Sequence, residues 1–206
     1  MTTPAATRSA VTRSVASGRL ILASASPRRQ SLLREAGYQF LVRAADIDES
    51  AVARIPDISP EEVALRLAVA KARAVAGEFP SDVVLGADTV VALGNSVIGK
   101  ADDAAHAREI LGKLSGSTHR VITAVAVVRG DAGMCLTEQV VSTVQMRALS
   151  AAEIDAYIAS DQWRGKAGAY GIQDRDPFVV RMEGCLTNIV GLPMTTTRRL
   201  LKQAGI

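Results

Sequence analysis

The stretch from Val83 to Leu93, VVLGADTVVAL, constrains this chain more than any other. Its apolar run predicts a strand that must be buried, so other layers have to cover it. Asp88 and Thr89 interrupt that run in the middle. Burying a carboxylate without partners costs several kcal/mol, so Asp88 has to be neutral, paired or on a metal. Such a group can act as a general base toward water or help to hold a divalent cation. The other reading puts Asp88 at a strand end, exposed or capping a loop, and Gly86 is compatible with that.

Around this strand, apolar runs and turn signals alternate. Strand 19–24, helix 27–36 and strand 38–44 lead into an acidic loop, Asp46 to Glu49. Helix 60–77, strand 83–93 and helix 103–114 follow, then strands 119–129 and 135–147 joined at Gly130–Gly133. Helix 151–160, a glycine-punctuated loop 164–176, strand 177–182, a short strand at 188–190 and helix 194–204 complete the order. Early alternation followed by a long hairpin predicts an α/β fold, a mixed β-sheet with flanking helices. A chain of 206 residues suits one large domain or two small lobes. Residues 1–18 are small, polar and acid-free, and a disordered extension is expected there; a transit peptide or a misassigned start fits the same composition. The single domain is expected over residues 19–206.

Charge excludes one class of partner. Arg8, Arg13 and Arg19 account for the whole net charge of +3, and the remaining bases and acids balance. With aromatics at only 3%, neither a basic nucleic-acid surface nor a stacking platform is expected. No run reaches the roughly 18 apolar residues of a membrane span, so no membrane partner is expected. Cys135 and Cys185 stand alone, without CxxC spacing, and His106 and His119 are the only histidines. Neither a disulfide framework nor a zinc site follows, and a reducing compartment, the cytoplasm, is expected.

Residues 24–30, SASPRRQ, follow the first strand and open a helix, with Ser26 as N-cap and Pro27 at the first helical position. Arg28 and Arg29 then occupy a first turn where the helix dipole disfavours cations. The chain's other starts, Ser59-Pro60-Glu61-Glu62 and Ser150-Ala151-Ala152-Glu153, carry acids there. Either both arginines face solvent, or helix N–H groups and guanidinium forks hold an anion together. Lys71, in an otherwise apolar helical stretch, and Lys100, after a strand and a glycine, can reach a phosphate or Asp88; a snorkelling surface lysine is the other reading of Lys71. The loop GKAGAYGIQ, residues 165–173, is neither a Walker loop nor a dinucleotide fingerprint. It reads as a tight loop placing Tyr170 and Gln173, whose amide can pair with a base edge, or as a plain glycine-rich turn.

LILASASPRRQSLL, VVLGADTVV, LSGSTHRVITAVAV, KAGAYGIQ and VGLP occur in this order. Together they resemble the Maf family of nucleoside triphosphate pyrophosphatases, over residues 19–206. The resemblance implies an inosine-triphosphatase-like α/β fold with two lobes around a deep cleft. It implies hydrolysis of a nucleoside triphosphate to the monophosphate and pyrophosphate, with a divalent cation, Mg²⁺ or Mn²⁺. By motif, Asp88 is the implied proton acceptor, and Arg28, Thr89 and Gln173 fall on positions tied to substrate choice. Ser24, Arg29, Glu49, Lys71 and Lys100 match polar positions of the family's cleft, with Glu49 and Asp88 as candidate metal ligands. AYGIQ resembles the branch acting on dTTP and UTP. One departure is Gly99-Lys100-Ala101, where the family commonly has Gly-Lys-Pro. Two other readings stay open: a nucleotide-binding regulator of cell division with little turnover, and a pyrophosphatase for modified purine nucleotides such as 7-methyl-GTP. A homodimer is compatible with the sequence, which does not fix the oligomeric state.

Overall fold

The structure is a computed structural model that describes residues 18–53, 55–172 and 178–206. Of residues 1–18, where a disordered extension is expected, 1–17 lie outside the described residues. The elements run β1 (Leu20–Leu22), α1 (Pro27–Glu35), β2 (Leu41–Val42), α2 (Glu49–Ala53), α3 (Pro60–Glu78) and β3 (Val83–Leu93). They continue with β4 (Ser96–Ile98), α4 (Ala104–Leu114), β5 (Thr118–Arg129), β6 (Met134–Met146) and α5 (Ala151–Ala159). The last are β7 (Val179–Glu183), α6 (Leu186–Val190) and α7 (Met194–Gln203). One seven-stranded mixed sheet has the order β2-β1-β3-β5-β6-β7, with β4 also paired to β3. β1 is parallel to both neighbours, and the remaining pairs are antiparallel.

Two-residue periodicity sorts β3 between two faces. Val84, Val90 and Ala92 join Ile122, Ala124 and Ala126 of β5 beneath the small-residue face of α3, Ala64, Ala68 and Ala72. Gly86 is required for that contact: a Cβ there would lie 2.5 Å from the Ala68 carbonyl oxygen and 2.8 Å from the Ala72 Cβ. Gly86 thus marks a close approach of helix to strand rather than a strand end. The opposite face carries two separate clusters. Val83, Leu85 and Ala87 pack with Leu33 of α1 and Leu200 and Leu201 of α7. Farther along, Val91 and Val121 pack with Ile110, Leu111 and Leu114 of α4 and with Trp163 and Tyr170.

One edge of β3 is covered without a break, by β5 from Val84 to Ala92. The other is covered only at its ends, by β1 at Val83–Leu85 and by β4 at Val91–Leu93. Among the described residues, no strand therefore lies beside 86–90 on that edge. The Leu85 carbonyl accepts from the Ala23 N–H at 2.8 Å, so by alternation the backbone groups of Ala87 and Thr89 face the gap.

Three elements differ from the sequence expectation. Residues 188–190 lie in helix α6 rather than a strand, ended by Gly191 at φ 119°, a left-handed C-cap that only glycine adopts readily. Three apolar residues are too few for periodicity to separate helix from strand. The acidic stretch ends in a short helix, since Glu49 opens α2. β4 returns against β3 through the two-residue turn Gly94–Asn95, with Gly94 at φ 59°. Among the described residues no helix is long and apolar enough to cross a membrane.

Candidate active site

The gap beside β3 opens into a cleft of about 530 Å³, walled by the β1–α1 turn, α2, the 164–172 loop and the end of α6. Asp88 lies on its floor, 6% exposed. Lys71 reaches it from α3, with Nζ 2.6 Å from Asp88 Oδ1. The same ammonium is 2.7 Å from Oε1 of Glu49 on α2. Lys71 therefore bridges two carboxylates, and its 8% exposure removes it from the snorkelling class. The Gly86 contact makes this geometry possible, because it brings α3 to within a lysine's reach of the strand.

Burial pushes the Asp88 carboxyl above the ordinary range, while Lys71 and Arg29 pull the other way. Burial also acts to raise Glu49, but the Lys71 hydrogen bond and the charges of Lys71, Lys100 and Arg29 hold it below the usual carboxylate range. The two carboxylates thus differ in proton affinity although one lysine touches both.

The arginine pair divides. Arg29 is buried and committed: Nε donates to the Gly191 carbonyl at 2.7 Å, Nη1 to Ser24 Oγ at 3.0 Å and Nη2 to Thr89 Oγ1 at 3.1 Å. It ties α1 to β3 and to the C-cap of α6. Arg28 is half-buried, and among the described residues its side chain makes one hydrogen bond, from Nη2 to the Gly165 carbonyl of the 164–172 loop at 3.2 Å. Burial lowers the pKa of both guanidiniums. Ser26 makes no side-chain cap on α1, whereas Ser59, Asp103 and Ser150 cap α3, α4 and α5. An uncapped helix start with cations in its first turn suits an anion.

The hydroxyls are polarised by these contacts. Ser24 Oγ accepts from Arg29 and from the Ser26 N–H at 3.3 Å, so its own proton is left for another acceptor. Thr89 Oγ1 accepts from Arg29 and lies 2.9 Å from Thr123 Oγ1. Lys100 lines the cleft, with no side-chain partner among the described residues. Despite Ala101, its backbone is anchored by a bridge to Ala167 and by the Gly168 N–H donating to the Gly99 carbonyl at 2.9 Å. Gln173 lies outside the described residues. The structure thus brings Ser24, Arg28, Arg29, Glu49, Lys71, Asp88, Thr89 and Lys100 to one cleft.

Sequence reasoning missed Thr123 and Asn188, both fully buried behind Thr89, and the His119–Tyr170 contact under the 164–172 loop. Thr123 carried a usable signal, since it interrupts the apolar run VITAVAVV much as Asp88 and Thr89 interrupt theirs. Among the described residues no group of three or more His, Cys, Asp or Glu side chains is placed to hold a metal ion. Asp88 and Glu49 each keep one carboxylate oxygen without a protein partner among the described residues. Two such oxygens fit Mg²⁺, which commonly takes one or two carboxylates and fills its shell with water and substrate phosphates.

Residues 19–204 match the family model described as Maf-like protein. The chain belongs to the Maf family. Among curated relatives, the dTTP/UTP pyrophosphatase of Symbiobacterium thermophilum is 46% identical, over 90% of this chain and 94% of its own. That of Rhodospirillum rubrum is 48% identical, over 92% of this chain and 89% of its own. Of solved structures, a HAM1 protein from Coxiella burnetii aligns over 90% of this chain and 99% of its own, at 16% identity and a TM-score of 0.49.

Proposed function

We propose that this Maf protein is a hydrolase of dTTP and UTP that yields the nucleoside monophosphate and pyrophosphate. The observation that carries the reading is the Glu49–Lys71–Asp88 array on the floor of a cleft whose walls supply Arg28, Lys100 and an uncapped helix start. The choice of dTTP and UTP is supported by the names of its relatives in Symbiobacterium thermophilum and Rhodospirillum rubrum.

In this reading Asp88 accepts a proton from a water molecule as the water oxygen bonds to the α phosphorus. The α–β phosphoanhydride bond breaks, and pyrophosphate leaves with the bonding pair. Burial raises the proton affinity of Asp88, which suits a base, and Lys71 keeps its carboxylate oriented through Oδ1. Arg28, Lys100, the Ser24 hydroxyl and the first turn of α1 bind the phosphates, and Arg29 braces the wall. The free oxygens of Asp88 and Glu49 would hold Mg²⁺, with Mn²⁺ as its substitute. When bound, the ion neutralises phosphate charge. Positioning and charge stabilisation carry most of such a reaction. The two free cysteines suit the cytoplasm, the compartment this reading assumes.

The test is a panel of canonical and modified triphosphates with Mg²⁺, with monophosphate and pyrophosphate quantified. dTTP and UTP should rank first. Asp88→Asn should keep its fold and nucleotide affinity while turnover drops at least about 100-fold. Inorganic phosphate in place of pyrophosphate would refute α–β cleavage. Preference for 7-methyl-GTP would move the chain to modified purines, and binding without any product would leave a regulator.

A further inference from the structure

Behind Thr89 runs a line of hydroxyls in which every proton can be assigned. Thr123 Oγ1 is 2.9 Å from the Asn188 carbonyl, which can only accept, so the one Thr123 proton is spent there. Thr89 Oγ1 is 2.9 Å from that same Thr123 oxygen, and either could donate by distance alone. Because the Thr123 proton is already used, Thr89 must be the donor. On its other side Thr89 Oγ1 accepts from Arg29 Nη2 at 3.1 Å. The proton order is thus Arg29 to Thr89 to Thr123 to the Asn188 carbonyl.

The frame that holds this order is itself buried. Thr123 and Asn188 are both 0% exposed. The Asn188 side-chain amide donates to the Val121 carbonyl and to Ser142 Oγ, each at 2.9 Å, which pins α6 against β5 and β6. Thr123 stands opposite Thr89 in the β3–β5 register, so the hydroxyl contact is built into strand pairing. Thr89 itself is half-buried and lines the cleft. With its proton turned inward, it shows the cleft only a lone pair.

We propose that Thr123 is a positioning residue for substrate choice: it takes the Thr89 proton, so the cleft meets Thr89 as a hydrogen-bond acceptor that selects a ligand N–H or O–H. This rests on the reading of the cleft as a nucleoside triphosphate site. Two groups of a uridine nucleotide have that chemistry, the imide N–H of the base and the ribose 2′-hydroxyl. Cytidine has a lone pair where uridine has the imide N–H, and deoxyuridine lacks the 2′-hydroxyl.

Thr123→Val keeps the shape of the side chain but removes the acceptor, freeing the Thr89 proton to turn into the cleft. The measurement is kcat/KM for UTP, CTP and dUTP in the wild type, Thr123→Val and Thr123→Ser, with urea unfolding of each. One of the two ratios, UTP to CTP or UTP to dUTP, should fall about tenfold in Thr123→Val, and the ratio that moves identifies the donor. Thr123→Ser, which restores the hydroxyl, should restore the ratio. In a Thr89→Ala background, Thr123→Val should no longer change it. If Thr123→Val is too unstable to assay, Thr123→Ala in both backgrounds supplies the comparison. Equal ratios in folded wild type and Thr123→Val overturn the proposal, as does the same shift in the Thr89→Ala background. A wild type that cleaves none of the three nucleotides instead overturns the reading on which it rests.

Discussion

Lowering the pH should destabilise this protein through a group outside the Glu49–Lys71–Asp88 array. His119 is 1% exposed, and its hydrogen bonds define its tautomer. Ser117 Oγ spends its proton on the Leu114 carbonyl at 2.8 Å, so toward His119 Nδ1, at 3.4 Å, it can only accept. Nδ1 therefore carries the hydrogen, and Nε2 receives the Tyr170 hydroxyl proton across 2.7 Å. Burial of this neutral ring lowers its pKa from 6.5 to about 4. Between those values the unfolded chain binds a proton that the native state refuses, so stability rises with pH through that window. The slope is about 1.4 kcal/mol per pH unit, and the loss on acidification approaches about 3 kcal/mol. Glu49, Asp82 and Glu153 have lowered pKa values, so they lose their contribution only below the ordinary carboxylate range. Asp88, raised by burial, acts in the opposite sense and is common to both proteins compared. Urea unfolding at intervals from about pH 4.5 to about pH 7.5 should give a wild-type slope that exceeds that of His119→Gln by one proton below about pH 6.5. Equal slopes in the two proteins would refute the assignment of a buried neutral imidazole.

Gly86→Ala pushes a Cβ into the Ala68 carbonyl, so α3 must move; a loss of about 1–3 kcal/mol in urea unfolding, with reduced kcat, is expected, and unchanged unfolding would refute the close approach. Arg28→Ala gives up one exposed contact to Gly165, so KM and substrate preference should change while stability stays within about 0.5 kcal/mol, measured by kinetics and urea unfolding side by side. Arg29→Ala strips three hydrogen bonds from the cleft wall and should cost about 2–4 kcal/mol in the same unfolding assay; a loss below that of Arg28→Ala would reverse the roles given to the pair.

Much of the site was legible because its residues break local rules. A carboxylate in an apolar strand and two cations at a helix start both stand out without a partner in view. The partner was harder to read. Lys71 lies 17 positions before Asp88, and what joins them is the shape of Gly86 against Ala68 and Ala72, which a spacing argument does not contain. The division of labour between Arg28 and Arg29 was equally hidden, since it follows from the Gly191 carbonyl on an element 162 residues away. α6 escaped because a five-residue helix has too little apolar pattern to oppose a strand reading. The gap in the sheet was invisible for another reason: it depends on where β1 and β4 stop, and element ends are what local propensity defines least well.

The half-paired strand gives the molecule an internal gauge of occupancy. Gly86, Asp88 and Val90 direct their amides into the continuous ladder with β5. Their hydrogens exchange with solvent only when the sheet itself opens. The amides of Ala87 and Thr89, one residue away along the same rigid backbone, face the gap and exchange at the rate at which water reaches the cleft. Filling the cleft slows the second set and leaves the first unchanged. Adjacent residues of one strand thus time two separate events, the unfolding of the protein and the residence of its ligand.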